Sequence, residues 1–491
     1  MMFFLYGKSK LFFVTFACTH TIKLHLIMKI KFNFFRQLII LSVVFFMGSN
    51  AAAQTEWKSL FNGKDMSGWE IKNGTAKYHI ADNAIVGTSR TGTPNTFLCT
   101  KEKYGDFILE LEVLVTPGLN SGIQFRSNSL KEYKNGRVHG YQSELDTSRR
   151  AWSAGIYDEG RRGWLYPLTI NTKGGAAFNN GGWNKVRIEA IGNSIKTFMN
   201  GVQCANLVDD MTDKGFIALQ VHSIRDKAQE GKTIKWKNIK ILTGNLEKYR
   251  TKNQPHARQI SYLNNTLTPE EKRKGWRLLW DGKTTDGWKG SKSDYFPKNG
   301  IEIVDGTIHF LKHDKTKDFK RSGDIVTKEK FDNFELEVDF MFKKGGNSGI
   351  KYFVDALKRG DGRNIGMEFQ ILDKDHADYD KGVEGNRTLG SLYDLIAAEN
   401  LSEPSREDIR ANGPDRWNRA RIIVSGGKVQ HWINNIKVVE FDRFSQSMRN
   451  LIKKSKYSKH QGFGMGSSGR ILIQDHSPGD VKFKNIKIRE F

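Results

Sequence analysis

The sequence predicts an all-β chain in which one two-sheet sandwich is followed by another. Three observations carry that reading. The first is a repeat of whole-domain length. Trp57-Lys58-Ser59-Leu60-Phe61-Asn62-Gly63-Lys64, closing with Gly68-Trp69, returns as Trp276-Arg277-Leu278-Leu279-Trp280-Asp281-Gly282-Lys283, closing with Gly287-Trp288. The echo then runs in order through both halves. Asn120-Ser121-Gly122-Ile123 matches Asn347-Ser348-Gly349-Ile350, Gln220-Val221-His222 matches Gln474-Asp475-His476, and Lys237-Asn238-Ile239 matches Lys484-Asn485-Ile486. Solenoid repeats run only roughly 20–50 residues, so this is a tandem of whole domains. The second observation is the period-2 alternation of apolar and charged residues in 107–113 and 334–340, as in half-buried strands. The third is tight-turn chemistry at Gly192-Asn193, Asn200-Gly201, Gly426-Gly427 and Asn434-Asn435, residues that accept positive φ. Many short antiparallel strands with little helical periodicity make a sandwich in each half.

The elements follow in order. Met28-Lys29-Ile30-Lys31, the apolar run from Leu38 to Met47 and Ala51-Ala52-Ala53 form the basic, apolar and small-residue parts of a secretory signal. The expected start is Met28, with 1–27 an upstream extension, and cleavage after Ala53 places the mature chain in the periplasm or at the cell surface. The apolar run is too short to span a bilayer comfortably, so no stable membrane span is expected after its removal. Residues 54–242 form the first domain, 243–275 a polar linker and 276–491 the second domain. Within the linker, Thr268-Pro269-Glu270-Glu271 predicts one short helix with a capping box. Its charges are expected to be solvated.

Composition narrows the partners. The formal charge is +24, and removing residues 1–53 leaves 72 basic side chains against 54 acidic, a net of +18. The basic residues are scattered among acids and aromatics with no arginine-rich arm, which argues against nucleic acid. Beyond the signal region only Cys99 and Cys204 remain. The repeat aligns them with Val326 and Val438, which makes them apolar core positions, although a disulfide is open in an oxidising compartment.

The candidate chemistry recurs in both halves. In Gln142-Ser143-Glu144-Leu145-Asp146, strand alternation puts Gln142, Glu144 and Asp146 on one face. In Glu368-Phe369-Gln370-Ile371-Leu372 it does the same for Glu368 and Gln370, with Asp373 just beyond. Such a face suits a polar hollow that grips hydroxyls; a plain solvent-facing surface is the bland alternative. A retaining glycosidase needs two carboxyls about 5–5.5 Å apart. Sandwich glycosidases carry a further Glu two residues on, where this chain has Ser148, and Gln370 replaces Glu144 in the second half, so that mechanism is disfavoured. His222 and His476 each follow a Gln by two residues on the same face and are candidates for base or metal ligand. Tyr157-Asp158 and Tyr393-Asp394 are candidate sugar ligands, as are Asn120 and Asn347. The first half alone continues into Arg161, Arg162 and Trp164, and Arg126 aligns with Phe353, so the two sites are not equivalent. No zinc spacing, P-loop or nucleophile elbow occurs.

Taken together, the opening Leu-Phe-Asn-Gly-Lys with Gly-Trp, the Asn-Ser-Gly-Ile turn, residues 366–373, Trp-Asn-x-x-Arg and the ending Gln474-Asp475-His476 with Lys484-Asn485-Ile486 resemble the 3-keto-disaccharide hydrolase family, also described as 3-keto-glucoside lyases and hydratases. The likeness covers nearly all of 55–491, as two family domains. It implies two concanavalin-like jelly rolls acting on a small carbohydrate. It also implies cleavage of 3-keto-glycosides by deprotonation at C2, elimination of the aglycone from C1 and hydration of the enone. On that basis His476 or His222 is the base, and Glu368 or Glu144 orients substrate or holds a divalent cation. Arg126 would stabilise an enolate in the first domain. Two rival readings stay open. One is a non-catalytic pair of glycan-binding modules using Trp152 and Trp164; the other is a conventional glycoside hydrolase. The sequence leaves oligomeric state, linkage and the active half undecided.

Overall fold

Strands that are apolar on one face need a second sheet to bury against, and each half of the chain supplies one. The computed structural model describes residues 57–313, 321–354, 364–399, 412–476 and 478–491. The expected signal in 1–53 lies outside them. In the first half the back sheet runs Ile260–Ser261, Val202–Val208, Ser194–Met199, Asn184–Ile191, Phe107–Val115, Thr233–Leu242, Ala84–Thr88, Lys77–Ala81. Its front sheet runs Gly163–Tyr166, Ile156–Glu159, His139–Asp146, Asn120–Asn128, Phe216–Val221, Thr96–Thr100, Trp69–Asn73. The second half repeats this with a front sheet of Trp288–Gly290, Ile325–Thr327, Arg470–Ile473, Asn347–Val354 and Met367–Leu372. Hairpins alternate with sequence-distant neighbours, such as Phe107–Val115 between Asn184–Ile191 and Thr233–Leu242, giving two jelly-roll sandwiches. One core gathers Ile85, Leu109, Ile123 and Trp236, and the other Leu336, Ile350, Phe369 and Ile422.

The repeated opening motif builds the fold. The indole of Trp69 donates to the Leu60 carbonyl at 2.8 Å and that of Trp288 to the Leu279 carbonyl at 2.6 Å. Each pins the first loop over the sandwich edge. Cys99 and Cys204 are buried free thiols, and burial pushes the Cys204 thiol up to about 12. Among the described residues no helix is long and apolar enough to cross a membrane.

The segment between the sandwiches departs from expectation. The capping box is present: Thr268 Oγ1 accepts from Glu271 N at 3.1 Å and Thr268 N donates to Glu271 Oε2 at 2.8 Å. A second short helix, Leu246–Tyr249, was not foreseen, and Ile260–Ser261 joins the first back sheet in parallel beside Val202–Val208. Glu247, Lys248, Lys252, Lys272, Arg273 and Lys274 are exposed as expected, but Arg258 and Glu271 are not simply solvated. Strand Phe334–Phe342 turns Glu335, Glu337 and Asp339 away from its core, and the segment lies over them, leaving each at most 4 % exposed. Arg258 reaches Glu335 at 2.6 Å and Glu337 at 3.0 Å. Lys487 bridges Glu271 at 2.5 Å and Glu337 at 3.0 Å, while Arg419 binds Asp339 at 2.6 Å. Charges removed from water persist only when paired in this way.

Candidate active site

The front sheet of the second domain carries the site. Alternation sends Ile350, Tyr352, Phe369 and Ile371 into the core, so Asn347, Gly349 and Lys351 face outward beside Glu368 and Gln370. The antiparallel register sets Lys351 opposite Glu368 and Gly349 opposite Gln370. Lys351 Nζ lies 3.9 Å from Glu368 Oε2, and Gln370 Nε2 donates to Asn347 Oδ1 at 3.3 Å. The Glu368 carboxylate lies across Gly349, where a Cβ would stand only 2.1 Å from Oε1. That close approach is the physical reason for glycine in Asn-Ser-Gly-Ile.

An insertion found only in the second half closes the site from one side. Helix Gln446–Lys454 starts at Ser445, whose hydroxyl accepts from Met448 N at 3.1 Å, and Met448 anchors it in the core. The chain then delivers Lys456 and Tyr457 to the cleft wall. Asp394 fixes this delivery: one carboxylate oxygen accepts from Lys456 N at 2.9 Å, the other from Arg387 Nε at 2.7 Å. Lys456 Nζ sits 3.8 Å from the Tyr393 ring centroid. The Lys456 side chain stays exposed at the cavity mouth, and partial desolvation pushes its ammonium down to about 8, with Lys351 and Arg387 adding to the shift and Glu368 and Asp394 opposing it.

The resulting cavity of about 210 Å³ adjoins a wider groove of about 790 Å³, and the two share Lys351, Gln474 and His476. Asp324 lines the groove. Burial, then repulsion from Asp475 and Glu368, raises its pKa against the pull of Lys351. Among the described residues no cluster of three or more His, Cys, Asp or Glu side chains is arranged to hold a metal ion.

Of the residues expected in this half, Glu368, Gln370, Asn347, Tyr393 and His476 meet in the cavity. Asp373 does not: its carboxylate accepts from Gly345 N at 2.6 Å and ties a turn. Asp394 serves by positioning Arg387 and Lys456 rather than by facing the cavity. Lys351 could have been found from the sequence, being four residues after Asn347 on the same strand face. Lys456, Arg387 and Asp324 left no repeat signal.

The first domain presents the same sheet with different contents. Register makes Gln124 and Gln142 the counterparts of Lys351 and Glu368, and they hydrogen-bond at 2.6 Å. Gln142 Nε2 donates to Glu144 Oε2 at 2.8 Å, and Asn120 Nδ2 bonds the other Glu144 oxygen. Asp146 takes the Nε of Arg150 at 2.8 Å, and Arg150 lies 3.5 Å from Glu144. The same guanidinium stands 4.7 Å from the Trp152 ring and 5.0 Å from Trp164, with Tyr157 packed on Trp164 at 5.2 Å. Arg150 therefore fills the hollow that the expectation left for a sugar. Burial raises Glu144 to about 7. The ring of His222 is tied through Nδ1 to the Ser223 carbonyl at 2.7 Å, and burial lowers its pKa.

Four expected ligands lie elsewhere. Tyr157 and Asp158 are consecutive on one strand and so face opposite sides. Asp158 is buried against Arg161 at 2.7 Å and Arg162 at 2.6 Å, and Arg162 continues to Asp209 at 2.7 Å. Arg416 of the second domain donates to the Arg161 carbonyl at 2.7 Å, so this loop joins the two sandwiches. Arg126 sits in a strand irregularity with φ of 44° and donates to the Gly105 and Gly192 carbonyls and to Asp106, which occupies its guanidinium far along the strand from Glu144. It is not available to an enolate.

The profile of the 3-keto-alpha-glucoside-1,2-lyase-like domain matches residues 56–242 and 275–489. The chain belongs to this family. It is 34% identical over 238 residues to a 3-keto-disaccharide hydrolase of Bacteroides thetaiotaomicron, covering 44% of this chain and 78% of that one. Among solved structures, a presumed glycosyl hydrolase of Parabacteroides distasonis is 29% identical over 46% of this chain and 99% of its own, with a TM-score of 0.40. A carbohydrate-binding module of Bacillus subtilis is 16% identical over 36% of this chain and 97% of its own, with a TM-score of 0.27. As a family member, this chain is a carbohydrate-active enzyme of the glycosidase type.

Proposed function

We propose that the second domain cleaves 3-keto-glycosides by elimination followed by hydration, in the periplasm or at the cell surface. The observation that carries this reading is that Glu368, Lys351, Lys456, Tyr393 and His476 line a single cavity, together with Asp378, Arg387 and Tyr457. A ketone at C3 acidifies the hydrogen at C2, so the reaction needs a base, positive charge near the developing enolate oxygen, and an acid for the departing aglycone. His476 is the base in this reading. Lys351 and Lys456 bring the positive charge, and Glu368 holds Lys351 and sugar hydroxyls. Asp324, its pKa raised, protonates the leaving oxygen in the wider groove. Glu368 is also the carboxylate that would help to hold a divalent cation if one is required. The first domain is non-catalytic in this reading, because Gln124 and Gln142 replace the Lys351–Glu368 pair and Arg150 fills the hollow.

The test is turnover of a 3-keto-glucoside by the intact chain, with and without chelator, beside the unoxidised aryl glucoside. Elimination predicts activity on the oxidised sugar alone. Glu368→Gln and His476→Ala are expected to lower it about 10²–10⁴-fold, whereas Glu144→Gln leaves it unchanged. Hydrolysis of the unoxidised glucoside would instead establish a conventional glycosidase, and binding without product a glycan-binding module.

A further inference from the structure

We infer, resting on the 3-keto-glycoside reading above, that Gln370 sets the choice of sugar ring by accepting a hydrogen bond from its C4 hydroxyl. Strand alternation puts Phe369 and Ile371 in the core, so the Gln370 side chain, 3 % exposed, is left on the cavity face. Its backbone is tied on both sides: Gln370 N donates to the Ser391 carbonyl at 3.1 Å, and Gly390 N donates to the Gln370 carbonyl at 2.8 Å. The residue directly opposite in register is Gly349, which brings no side chain of its own beside the amide. The amide is fixed at one end, where Nε2 donates to Asn347 Oδ1 at 3.3 Å. At the other end Oε1 is buried and finds no hydrogen-bond partner among the described residues. A buried acceptor left unpaired is costly, so a ligand that fills the cavity binds well only if it brings a donor to this oxygen. In the first domain the counterpart, Glu144, has both carboxylate oxygens taken, by Gln142 and Asn120.

The order of strands identifies the donor. The wider groove is lined by Gly290, Asp324 and Gln474, at or beside the first three strands of this front sheet, whereas Gln370 belongs to the last, Met367–Leu372. Lys351, on the strand Asn347–Val354 between them, lines both spaces. An aglycone that departs through the groove puts C1 of the ring on the groove side. C4 stands across the six-membered ring from C1, which places its hydroxyl on the side of Gln370. Neighbouring strands lie roughly 4.7–4.9 Å apart, so a single ring bridges the strand in the middle. A hydroxyl at C4 donates to Oε1; a hydrogen or an ether oxygen there cannot. The substrate class narrows accordingly. A ring linked to further sugar through O4 has lost the donor, so the cavity takes an unsubstituted, non-reducing terminal unit. The discrimination comes from the penalty on the wrong ring, which buries the same amide oxygen and leaves it unpaired.

The test compares kcat/KM of the intact chain on an aryl 3-keto-glucoside and on its 4-deoxy and 6-deoxy counterparts. The 4-deoxy sugar is expected to be poorer by about 10–100-fold, and the 6-deoxy sugar to stay close to the parent. Gln370→Leu should bring the ratio of parent to 4-deoxy sugar near one, while Gln370→Glu, which keeps an acceptor in place, should preserve most of it. A merely structural role would lower all three sugars together and leave the ratio where it was. Equal use of the parent and the 4-deoxy sugar by the unaltered chain, or a penalty on the 6-deoxy sugar instead, would overturn the role of Gln370 while leaving the elimination intact. So would an unchanged ratio in Gln370→Leu, or a ratio near one in Gln370→Glu, which would mean that the amide turns its nitrogen to the sugar. Absence of turnover on every 3-keto-glycoside would overturn the elimination and this role with it.

Discussion

At Gly349 a single hydrogen in place of a side chain lets Glu368 lie flat across the neighbouring strand. A Cβ there would meet the carboxylate at 2.1 Å. Gly349→Ala is therefore expected to push Glu368 off its seat, lowering turnover of the oxidised sugar with little change in the thermal midpoint, because the clash is with the end of a flexible side chain. Gly122 shows the same relation to Gln142, with 2.3 Å to Cδ, so the motif is legible in both halves even though only one pairs an acid with a lysine. Glu144 gives a second prediction at this scale. Its folded pKa is raised from 4.5 to about 7 by burial. A raised value contributes stability that is fully present below 4.5 and lost as pH rises through 7. Thermal midpoints should accordingly fall across that window in the intact chain, and Glu144→Gln should flatten the fall. An unchanged slope would show that Glu144 is not buried as described.

Elements, rather than residues, decide which half has a complete site. Both front sheets follow from alternation; His222, Gln474 and His476 lie just beyond strands Phe216–Val221 and Arg470–Ile473 rather than within them, and Gln474 and His476 line the second-domain cavity. Alternation also explains what the repeat obscured. A Tyr-Asp pair cannot put both side chains on one strand face, so Tyr393 enters the cavity while Asp394 braces the insertion. Helix Gln446–Lys454 has no counterpart in the first half, so no internal comparison could reveal that the chain just beyond it brings Lys456 to the cavity wall. Met448, buried to 1 % exposure, is its anchor. Met448→Ala should cost about 2–5 kcal/mol as other large-to-small core changes do, and loosen Lys456. The measurable outcome is loss of activity at temperatures below the main unfolding transition. A fully active Met448→Ala protein with a lowered midpoint would separate the helix from the chemistry.

At the scale of the molecule, the segment that reads as a linker behaves as a strap. Glu335 receives Arg258 at 2.6 Å and Arg489 at 2.6 Å, besides Arg421, and the surrounding guanidinium groups hold its carboxyl below the usual range despite burial. Glu335→Gln leaves those cations without their shared anion, a loss of roughly 3–5 kcal/mol for a buried network. The expected readout is earlier unfolding and faster proteolysis within 243–275. Depressed carboxylates contribute stability above their unfolded pKa that disappears as pH falls, so the strap should loosen first under acid. Cutting the chain here would expose Glu335, Glu337 and Asp339 together, and intact-chain variants are the cleaner way to assign activity to one half.

By itself the sequence determined the tandem plan, the sandwich class and the five cavity residues Glu368, Gln370, Asn347, Tyr393 and His476. Each depends on local periodicity or on internal recurrence, both of which survive in one dimension. Tertiary structure alone decided that Arg150 packs between Trp152, Trp164, Glu144 and Asp146, that Arg416 of the second sandwich donates to the Arg161 carbonyl of the first, and that Lys456 lines the second cavity and Asp324 the groove beside it. Those outcomes turn on which distant segments come to lie against one another, and neither spacing nor alternation encodes that.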